Sequence, residues 1–354
     1  ISATPSARGR IAKGAALAIK MRAALYWGDY AKAKAAAQDI INLGQYQLDS
    51  DYANLFTVAG QNSSEIILAV QHITGTKSLY TVGQLYPNGD GGWSSIVPTQ
   101  NLVDTYEMAD GLTKEESGSY DPNHPFAGRD PRMAMTIIYP GMDWNGTVVN
   151  TLDKTINGKD NANYPPSANN ASKTALTWRK YLDEQYANGI WNTNACPIVI
   201  RYAEVLLTYA EAVNELSGPS ADVYDKLDLI RGRVGMPKVD REKYASKETL
   251  RRLIRRERGV ELAGEGVRRA DILRWKDDNG KMVAETVLNG VLERVVGTVN
   301  YAETDPTKRA EIDTNAPVTD KKIEDRVFKV HNRYNPIPQG AIDNNPNLEQ
   351  NPGY

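Results

Sequence analysis

The chain has 354 residues, of which 41% are hydrophobic and 24% are charged, a composition typical of a folded globular protein rather than a disordered one. Acidic and basic residues nearly cancel, at 44 against 42, so the formal charge of -2 gives no electrostatic reason to expect a nucleic-acid partner. The single cysteine excludes an intrachain disulfide, and the three histidines, His72, His124 and His331, are too scattered to predict a metal site.

Residues 1–73 predict a pair of helices followed by a strand. The sequence is alanine-rich from about Pro5 to Leu43, where Gly28 ends the first helix and Tyr30 and Ala33 begin the second. This turn resembles that of a tetratricopeptide hairpin. The stretch "SSEIILAVQHI" then predicts a strand.

Residues 74–196, called the insert below, are rich in Gly, Asn, Pro, Asp and aromatic residues and show no long helical period. Short strands are predicted in "MTIIYP" and "TVVNTLDKT". So much irregular chain between helical blocks indicates either a functional surface or weak order.

Residues 197–354 return to a helical period, first in "IVIRYAEVLLTYAEAVNEL", then in "SADVYDKLDLIRGRVG" and in "KETLRRLIRRERGVELAGEGVRRADILRW". The last stretch, "NRYNPIPQGAIDNNPNLEQNPGY", is predicted to be an extended tail without a helix, because of its prolines. The glycines of the third block lie inside or at the end of a helix and form no phosphate-binding motif, so we expect no cofactor.

Acidic residues in these helices raise the question of catalysis. On the third block the apolar stripe continues by steps of three or four into acids, so these carboxylates are expected to face inward beside arginines 255, 256, 258, 268 and 269. A carboxylate held by guanidinium keeps a low pKa, which is unsuited to a general acid. We therefore interpret the following residues as structural, in ion pairs and packing between helices: Glu204, Glu211, Glu257, Glu261, Glu265, Arg268, Asp271 and Trp275. Trp27 is likewise predicted to pack in the core or at an interface.

Several of these stretches, together with "PTQNLVDTYEMADG", "GRDPRMAMTIIYPG" and the closing "QNPGY", resemble the successive signatures of the SusD/RagB family of outer-membrane nutrient-binding lipoproteins. The resemblance implies a mainly α fold, in which a scaffold of tetratricopeptide-like helical pairs carries the loop-rich insert with its short strands. It also implies a protein without enzymatic activity that captures glycans, or in some branches peptides, at the cell surface. The implied partner is a SusC-like TonB-dependent outer-membrane transporter.

Family members carry a signal peptide, a lipidated cysteine and a sizeable portion before the first motif seen here, and none of these is found in this sequence. We interpret this as the loss of an N-terminal piece, so the membrane contact is expected through a lipid anchor that this chain does not contain. The sequence contains no stretch of about 18 apolar residues, so no membrane span is predicted.

Two other functions remain open. A glycoside hydrolase would need a pair of carboxylates across a cleft, and Asp90, Asp104 and Asp143 lie in loops without a spacing that singles out a pair. A helical-repeat scaffold that binds only another protein would leave the aromatic insert unexplained.

The insert contains most of the tryptophans, and sugars stack their apolar faces on aromatic rings. The stretch "LYPNGDGGW" is the best candidate for a ligand site, with Tyr86 and Trp93 as platforms and Asn88 and Asp90 as hydrogen-bonding partners. Its glycines are expected to bring both rings to the surface. Trp144 and Trp191 lie in similar turns and are the second choices for a ligand contact.

Overall fold

The computed structural model of the protein describes residue 2 and residues 9–166, 168–186 and 189–354. In chain order the α-helices are α1 (Lys13–Trp27), α2 (Tyr30–Asn42), α3 (Gln100–Thr105), α4 (Arg132–Thr136), α5 (Tyr202–Ser217), α6 (Ala221–Gly232), α7 (Lys247–Glu261), α8 (Arg268–Arg274), α9 (Val283–Val287), α10 (Val318–Lys321) and α11 (Gln339–Asn344). The strands are β1 (Ile66–Ala69), β2 (Ile137–Ile138), β3 (Asp143–Trp144), β4 (Thr147–Val148), β5 (Thr155–Ile156), β6 (Lys159–Asp160), β7 (Thr177–Trp178), β8 (Ile198–Arg201), β9 (Gly290–Glu293), β10 (Gly297–Val299), β11 (Ala310–Ile312) and β12 (Lys322–Arg326).

The strands pair antiparallel and in twos: β1 with β8, β2 with β7, β3 with β4, β5 with β6, β9 with β12, and β10 with β11. Wider sheets are absent from the described residues, so the helices supply the larger part of the regular structure. In this part of the chain, no helix combines the length and the apolar composition that a membrane span requires.

The first helical pair forms where the sequence predicts it, although the expected beginning near Pro5 lies outside the described residues. Gly28 ends α1 in the left-handed conformation at φ +83°, which glycine adopts without steric cost, and Asp29 caps α2 by accepting from the backbone N–H of Lys32. The buried faces of the two helices are mostly alanine, including Ala18 and Ala36, so the helices pack closely together.

Helix α5 is the centre of the helical scaffold, which consists of α1, α2, α5, α6 and α7. Every residue from Ala203 to Asn214 is buried, because α2, α6 and α7 all pack against α5. Because other helices cover α5 on several sides, both its apolar face and its polar face are buried.

The insert has a hydrophobic core of its own, and α7 contributes to both cores. Leu250, Leu253 and Ile254 pack in the scaffold core, whereas Val260 packs with the insert. Side chains from the 295–310 region, including Val299 and the strand residue Ala310, also enter the insert core. The core that supports the insert therefore extends beyond residue 196.

Three sequence predictions need correction. Ile198–Arg201 forms the strand β8 rather than the start of a helix, because its branched apolar residues pair with β1. The tail contains the short helix α11, which follows Pro338 at its N-cap, a position where proline's missing N–H costs little. Trp27 is 88% exposed and does not lie in the core.

The acids of α7 occupy the boundary between the scaffold and the insert. Glu257 accepts from Arg132 at 3.0 Å and from Arg231 at 2.5 Å. Glu261 accepts from Arg132 at 3.0 Å, from Arg201 at 2.7 Å and from Arg233. These ion pairs are buried, because all of the side chains involved are at most 3% exposed.

Two buried cations of the insert reach this row of acids. Arg132 is the first residue of α4, and Asp130, two residues earlier, also accepts from it at 2.6 Å. Lys180 follows β7, and its Nζ donates to Glu265 at 3.0 Å and to the backbone oxygen of Glu261 at 3.2 Å. Burial lowers the pKa of Lys180 to about 8, against the opposing effect of Glu265. The insert is thus joined to α7 by charged groups that are removed from water.

A second group of ion pairs joins α5, α7 and α8. Glu211 accepts from both terminal nitrogens of Arg274, at 2.6 and 2.8 Å, and from the indole nitrogen of Trp275 at 2.8 Å. Asp271 accepts from Arg258 at 3.1 Å. Two turns earlier on the same face of α5, Glu204 pairs with Arg22 of α1 at 2.6 Å.

Most of the arginines that pair with these acids do not lie on α7. Of the five arginines expected nearby, Arg258 joins the ion pairs described above, and Arg256 pairs with Glu107 at 2.5 Å. Arg268 is exposed, and its guanidinium lies beside Gly259 and near the ring of Trp275. Among the described residues Arg268 forms no ion pair with these acids, so the expectation that it is their buried partner is not met.

The ion pairs hold the acids in their charged form. Burial alone would raise the pKa of Glu261, but Arg233, Arg201 and Arg132 together keep it well below its usual range. Burial likewise opposes ionisation of Glu211, and Arg274 and Arg258 lower its pKa to about 2. These carboxylates hold no proton at neutral pH that a general acid could donate.

Replacing Glu261 with alanine should lower the free energy of unfolding by roughly 3 to 5 kcal/mol, because buried arginines then lose their counter-charge. Replacing the exposed Arg268 with alanine should lower it by less than about 1 kcal/mol. Chemical denaturation of both variants measures the difference. Equal losses in the two variants would contradict the assignment of Glu261 as the buried partner.

Acid should weaken the ion pairs of Glu211. Its pKa of about 2 in the folded protein lies below the value of about 4.3 expected in the unfolded chain, so its contribution is present above about pH 4.3 and is lost as the pH falls towards 2. Denaturation across this range should show a stability gap between the parent and Glu211→Gln that narrows by about 2 kcal/mol. A gap that stays constant with pH would show that the charge of Glu211 does not stabilise the fold.

Candidate functional site

The loop "LYPNGDGGW" is held in a tight turn by its glycines. Gly91 has φ +81°, and a Cβ on Gly92 would lie 2.2 Å from the backbone oxygen of Tyr86. The backbone N–H of Ser94 donates to the same oxygen at 3.2 Å. The turn therefore reverses the chain directly before Trp93 and directs that residue to the surface.

Two rings that were expected to contact a ligand, the platform Tyr86 and the second choice Trp144, are buried instead. Tyr86 is 1% exposed, and its hydroxyl donates to the backbone oxygen of Asp183 and accepts from the N–H of the same residue, both at 2.9 Å. Burial raises the pKa of Tyr86, so the hydroxyl stays protonated and donates. Trp144 is 5% exposed and packs in the insert core. Neither ring offers a face to a ligand.

The predicted hydrogen-bonding partners also support the loop from within. Asp90 accepts from the indole nitrogen of Trp144 at 2.8 Å and from the amide of Asn145 at 3.3 Å. The amide of Asn88 donates to the backbone oxygen of Ala162 at 2.5 Å. These contacts fix the loop to the rest of the insert.

Three exposed or half-buried rings lie together beside this loop: Tyr80, Trp93 and Trp191, called the aromatic cluster below. The ring centroids of Trp93 and Trp191 are 4.8 Å apart, with an angle of 56° between the planes. Those of Tyr80 and Trp191 are 4.9 Å apart, with an angle of 39°. Tyr80 is 53% and Trp93 is 42% exposed. The structure thus brings two of the predicted ligand residues together and adds a third ring that the sequence analysis missed.

The cluster is assembled from three segments of the insert. Tyr80 begins a 3-10 helix, Tyr80–Gln84, and the neighbouring Leu79 forms an isolated β-bridge with Thr193. The backbone N–H of Gly75 donates to the side-chain oxygen of Asn192 at 2.8 Å. Both contacts involve the two residues directly after Trp191, so hydrogen bonds between distant parts of the insert, which sequence spacing does not reveal, bring this ring beside Tyr80.

The enclosed space near the loop is too small for a sugar. A cavity of about 50 Å³ lies between Pro87, Asp90 and Trp144, whereas pockets for small ligands have volumes of roughly 300 to 1,000 Å³. A larger open cleft of about 500 Å³ lies beside His124 and the hairpin of β10 and β11, and its lining includes none of the predicted ligand residues. Tyr80, Trp93 and Trp191 line neither of these spaces, so the aromatic cluster is a group of rings on the surface.

The loop aspartates considered for a hydrolase each have a partner. Asp104 pairs with Lys114 at 2.8 Å, Asp143 pairs with Arg309 at 2.7 Å, and Asp90 accepts from Trp144. A retaining or inverting glycosidase needs one carboxyl group that carries a proton. These contacts engage each aspartate separately and do not join two of them as a pair.

The family model of the SusD family matches residues 64–354, which include the aromatic cluster and every ion pair of α7. The chain belongs to the SusD family. SusD-like protein P25 of Formosa agariphila is 28% identical over 279 residues, which cover 76% of this chain and 50% of the relative. The chain therefore spans about half the length of this curated relative.

Solved structures of SusD-like proteins share the fold. A SusD-like carbohydrate binding protein from Bacteroides fragilis superposes with a TM-score of 0.80 at 29% identity, over 98% of this chain and 66% of that chain. A second SusD-like protein from Bacteroides fragilis gives a TM-score of 0.78 at 25% identity, over 100% of this chain and 68% of that chain. The predicted fold class, mainly helical with tetratricopeptide-like helical pairs, is confirmed.

Trp144 should behave as a core residue and not as a ligand contact. Its replacement with alanine should lower the free energy of unfolding by roughly 3 to 5 kcal/mol, because a large buried ring and the hydrogen bond to Asp90 are lost together. Thermal and chemical denaturation measure this loss. A Trp144→Ala variant with the parent's stability would contradict the buried position of the ring.

Proposed function

We propose that this SusD family protein binds oligosaccharide at the aromatic cluster and acts as the glycan-capturing component of an outer-membrane nutrient uptake system. The observation that carries the proposal is the group of contiguous rings, Tyr80, Trp93 and Trp191, at the surface of the insert. Apolar C–H faces of sugars stack on such rings, and surface rings that are held in place keep their planes available. The related Bacteroides fragilis protein is described as carbohydrate binding, which agrees with this ligand class.

In this proposal the protein binds its ligand without converting it. Burial raises the pKa of Glu257, Glu261 and Glu265, but the arginines that pair with these acids, together with Lys180 at Glu265, leave each pKa below the usual range. The captured oligosaccharide would pass to a SusC-like TonB-dependent transporter at the cell surface. A lipid anchor would hold the protein at the outer membrane, as the family resemblance implies.

A peptide ligand is the second candidate, because aliphatic side chains are exposed near the rings. Ile73 and Ile96 are each 64% exposed. Ile73 forms an isolated β-bridge with Lys77 across a turn, and Gly75 of this turn donates to the side chain of Asn192, the residue after Trp191. Ile96 follows Ser95, whose backbone N–H donates to the backbone oxygen of Gln84 in the 3-10 helix that Tyr80 begins. Branched aliphatic residues contact peptide side chains more readily than they contact the hydroxyls of sugars.

A ligand panel tests the proposal. Affinity gel electrophoresis with polysaccharides of differing linkage, followed by calorimetry with the corresponding oligosaccharides and with mixed peptides, should show retention of a glycan. Analysis of the recovered glycan should show no cleavage. Turnover would indicate an enzyme, and binding of peptides alone would support the second candidate.

Replacing Trp93 or Trp191 with alanine should weaken binding of the retained glycan roughly five- to a hundredfold, if stacking on one ring contributes about 1 to 3 kcal/mol as in base stacking. The matched control is Trp27→Ala, which removes an exposed indole from α1. This control should bind like the parent. Titration calorimetry and melting temperatures measure both effects, and unchanged affinity in both cluster variants would move the ligand site elsewhere.

A further inference from the structure

Gly83 lies directly beneath the ring of Trp191. A Cβ at this position would lie 2.5 Å from Cε3, 2.6 Å from Cδ2 and 2.9 Å from Cζ3 of the indole. Real Cβ atoms do not approach other heavy atoms so closely, and the conflict involves the body of a rigid ring. The indole therefore occupies the space that any side chain at residue 83 would need.

The backbone of Gly83 does not itself require glycine. Its φ lies outside the left-handed region, unlike that of Gly91, which has φ +81°. An alanine could adopt the same backbone conformation without strain. The space taken by Trp191 is thus the physical reason for glycine at this position.

The same short helix supplies both a ring and the gap beneath the neighbouring ring. Tyr80 and Gly83 are three residues apart in the 3-10 helix Tyr80–Gln84, and residues at this spacing lie on the same side of such a helix. Tyr80 contacts Trp191 at 4.9 Å between centroids, and Trp93 contacts it at 4.8 Å. Gly83 therefore determines how far the central ring of the cluster lies from the backbone, and with it the tilt towards both neighbours.

We propose that Gly83 is a positioning residue for the ligand surface, acting through Trp191 and not by contact with the ligand. The inference rests on the proposed function of the aromatic cluster. A methyl group at residue 83 pushes the indole outward, so that Tyr80, Trp191 and Trp93 no longer present their faces in one arrangement. Binding of consecutive sugar units is lost in part, while the hydrophobic core beneath is unchanged.

Gly83→Ala tests the inference, with Gly118→Ala as the matched control. Gly118 also lies in the insert and has an ordinary φ, and a Cβ there would meet no atom within 4 Å. The oligosaccharide retained by the parent protein is the probe in calorimetric titration. Gly83→Ala should weaken its binding at least fivefold and no more than Trp191→Ala does, whereas Gly118→Ala should bind like the parent.

A double-mutant cycle separates positioning from a general structural effect. In the Trp191→Ala background the added Gly83→Ala change should weaken binding no further, because the ring that it displaces is absent. If Gly83→Ala alone fails to fold, folding of the double variant decides the matter: Gly83→Ala combined with Trp191→Ala should be as stable as Trp191→Ala, because the three indole atoms that conflict with the added methyl group are absent. Losses that add fully in the Trp191→Ala background overturn the inference.

The positioning claim also has a readout that does not depend on ligand. With 5-fluorotryptophan incorporated, ¹⁹F NMR resonances assigned by single substitutions should show that Gly83→Ala shifts the signals of Trp191 and Trp93 and leaves that of Trp27 unchanged. Unshifted signals overturn the inference. Shifted signals combined with unchanged glycan binding in Trp191→Ala would support the positioning of the ring and reject the aromatic cluster as the glycan site.

Discussion

The structure depends on a row of buried carboxylates along α7 that is neutralised from both sides. Glu257 and Glu261 pair with Arg132 of the insert and with Arg231, Arg201 and Arg233 of the remaining chain. Transferring these charges out of water is costly, and the cost is offset only when each oxygen has a well-placed donor. Because the donors come from separate parts of the sequence, the ion pairs form only when insert and scaffold adopt their native arrangement. Ion pairs of this kind therefore favour one docking geometry over others.

This constraint explains how an insert with little regular secondary structure presents an ordered surface. Its strands are two residues long, from β2 to β7, and by themselves provide few backbone hydrogen bonds. The insert core is completed by Val260 from α7 and by side chains from the 295–310 region. Lys180 adds a buried cation whose Nζ lies over the rings of Tyr52 and Phe56, 5.0 and 4.5 Å from their centroids. The loops that carry the aromatic cluster are thus supported by a core anchored to the longest helices of the fold.

The sequence predicts the environment of the acids better than it predicts their partners. Helical spacing places Glu257 and Glu261 on the face that begins with Leu250, because this spacing is a local property. Their partner Arg132 is 125 and 129 residues away in sequence, which no local pattern reveals. The proposed ligand site shows the same limit. Composition identifies the insert as rich in rings, but whether a ring such as Trp144 is buried or one such as Trp93 is exposed depends on long-range contacts. Tyr80 lacked a local signal, since its contact with Trp191 crosses the insert.

Two glycines of the insert restrict the aromatic cluster in different ways. Gly91 permits a left-handed turn, whereas Gly83 leaves room for a ring, and both restrict where the indoles lie. A ring that is already fixed by its neighbours loses little conformational freedom when a ligand stacks on it, so more of the contact energy appears as affinity. Fixed rings also cannot adapt to a ligand of another shape. The arrangement of the cluster would then select ligands by the spacing and direction of their apolar faces.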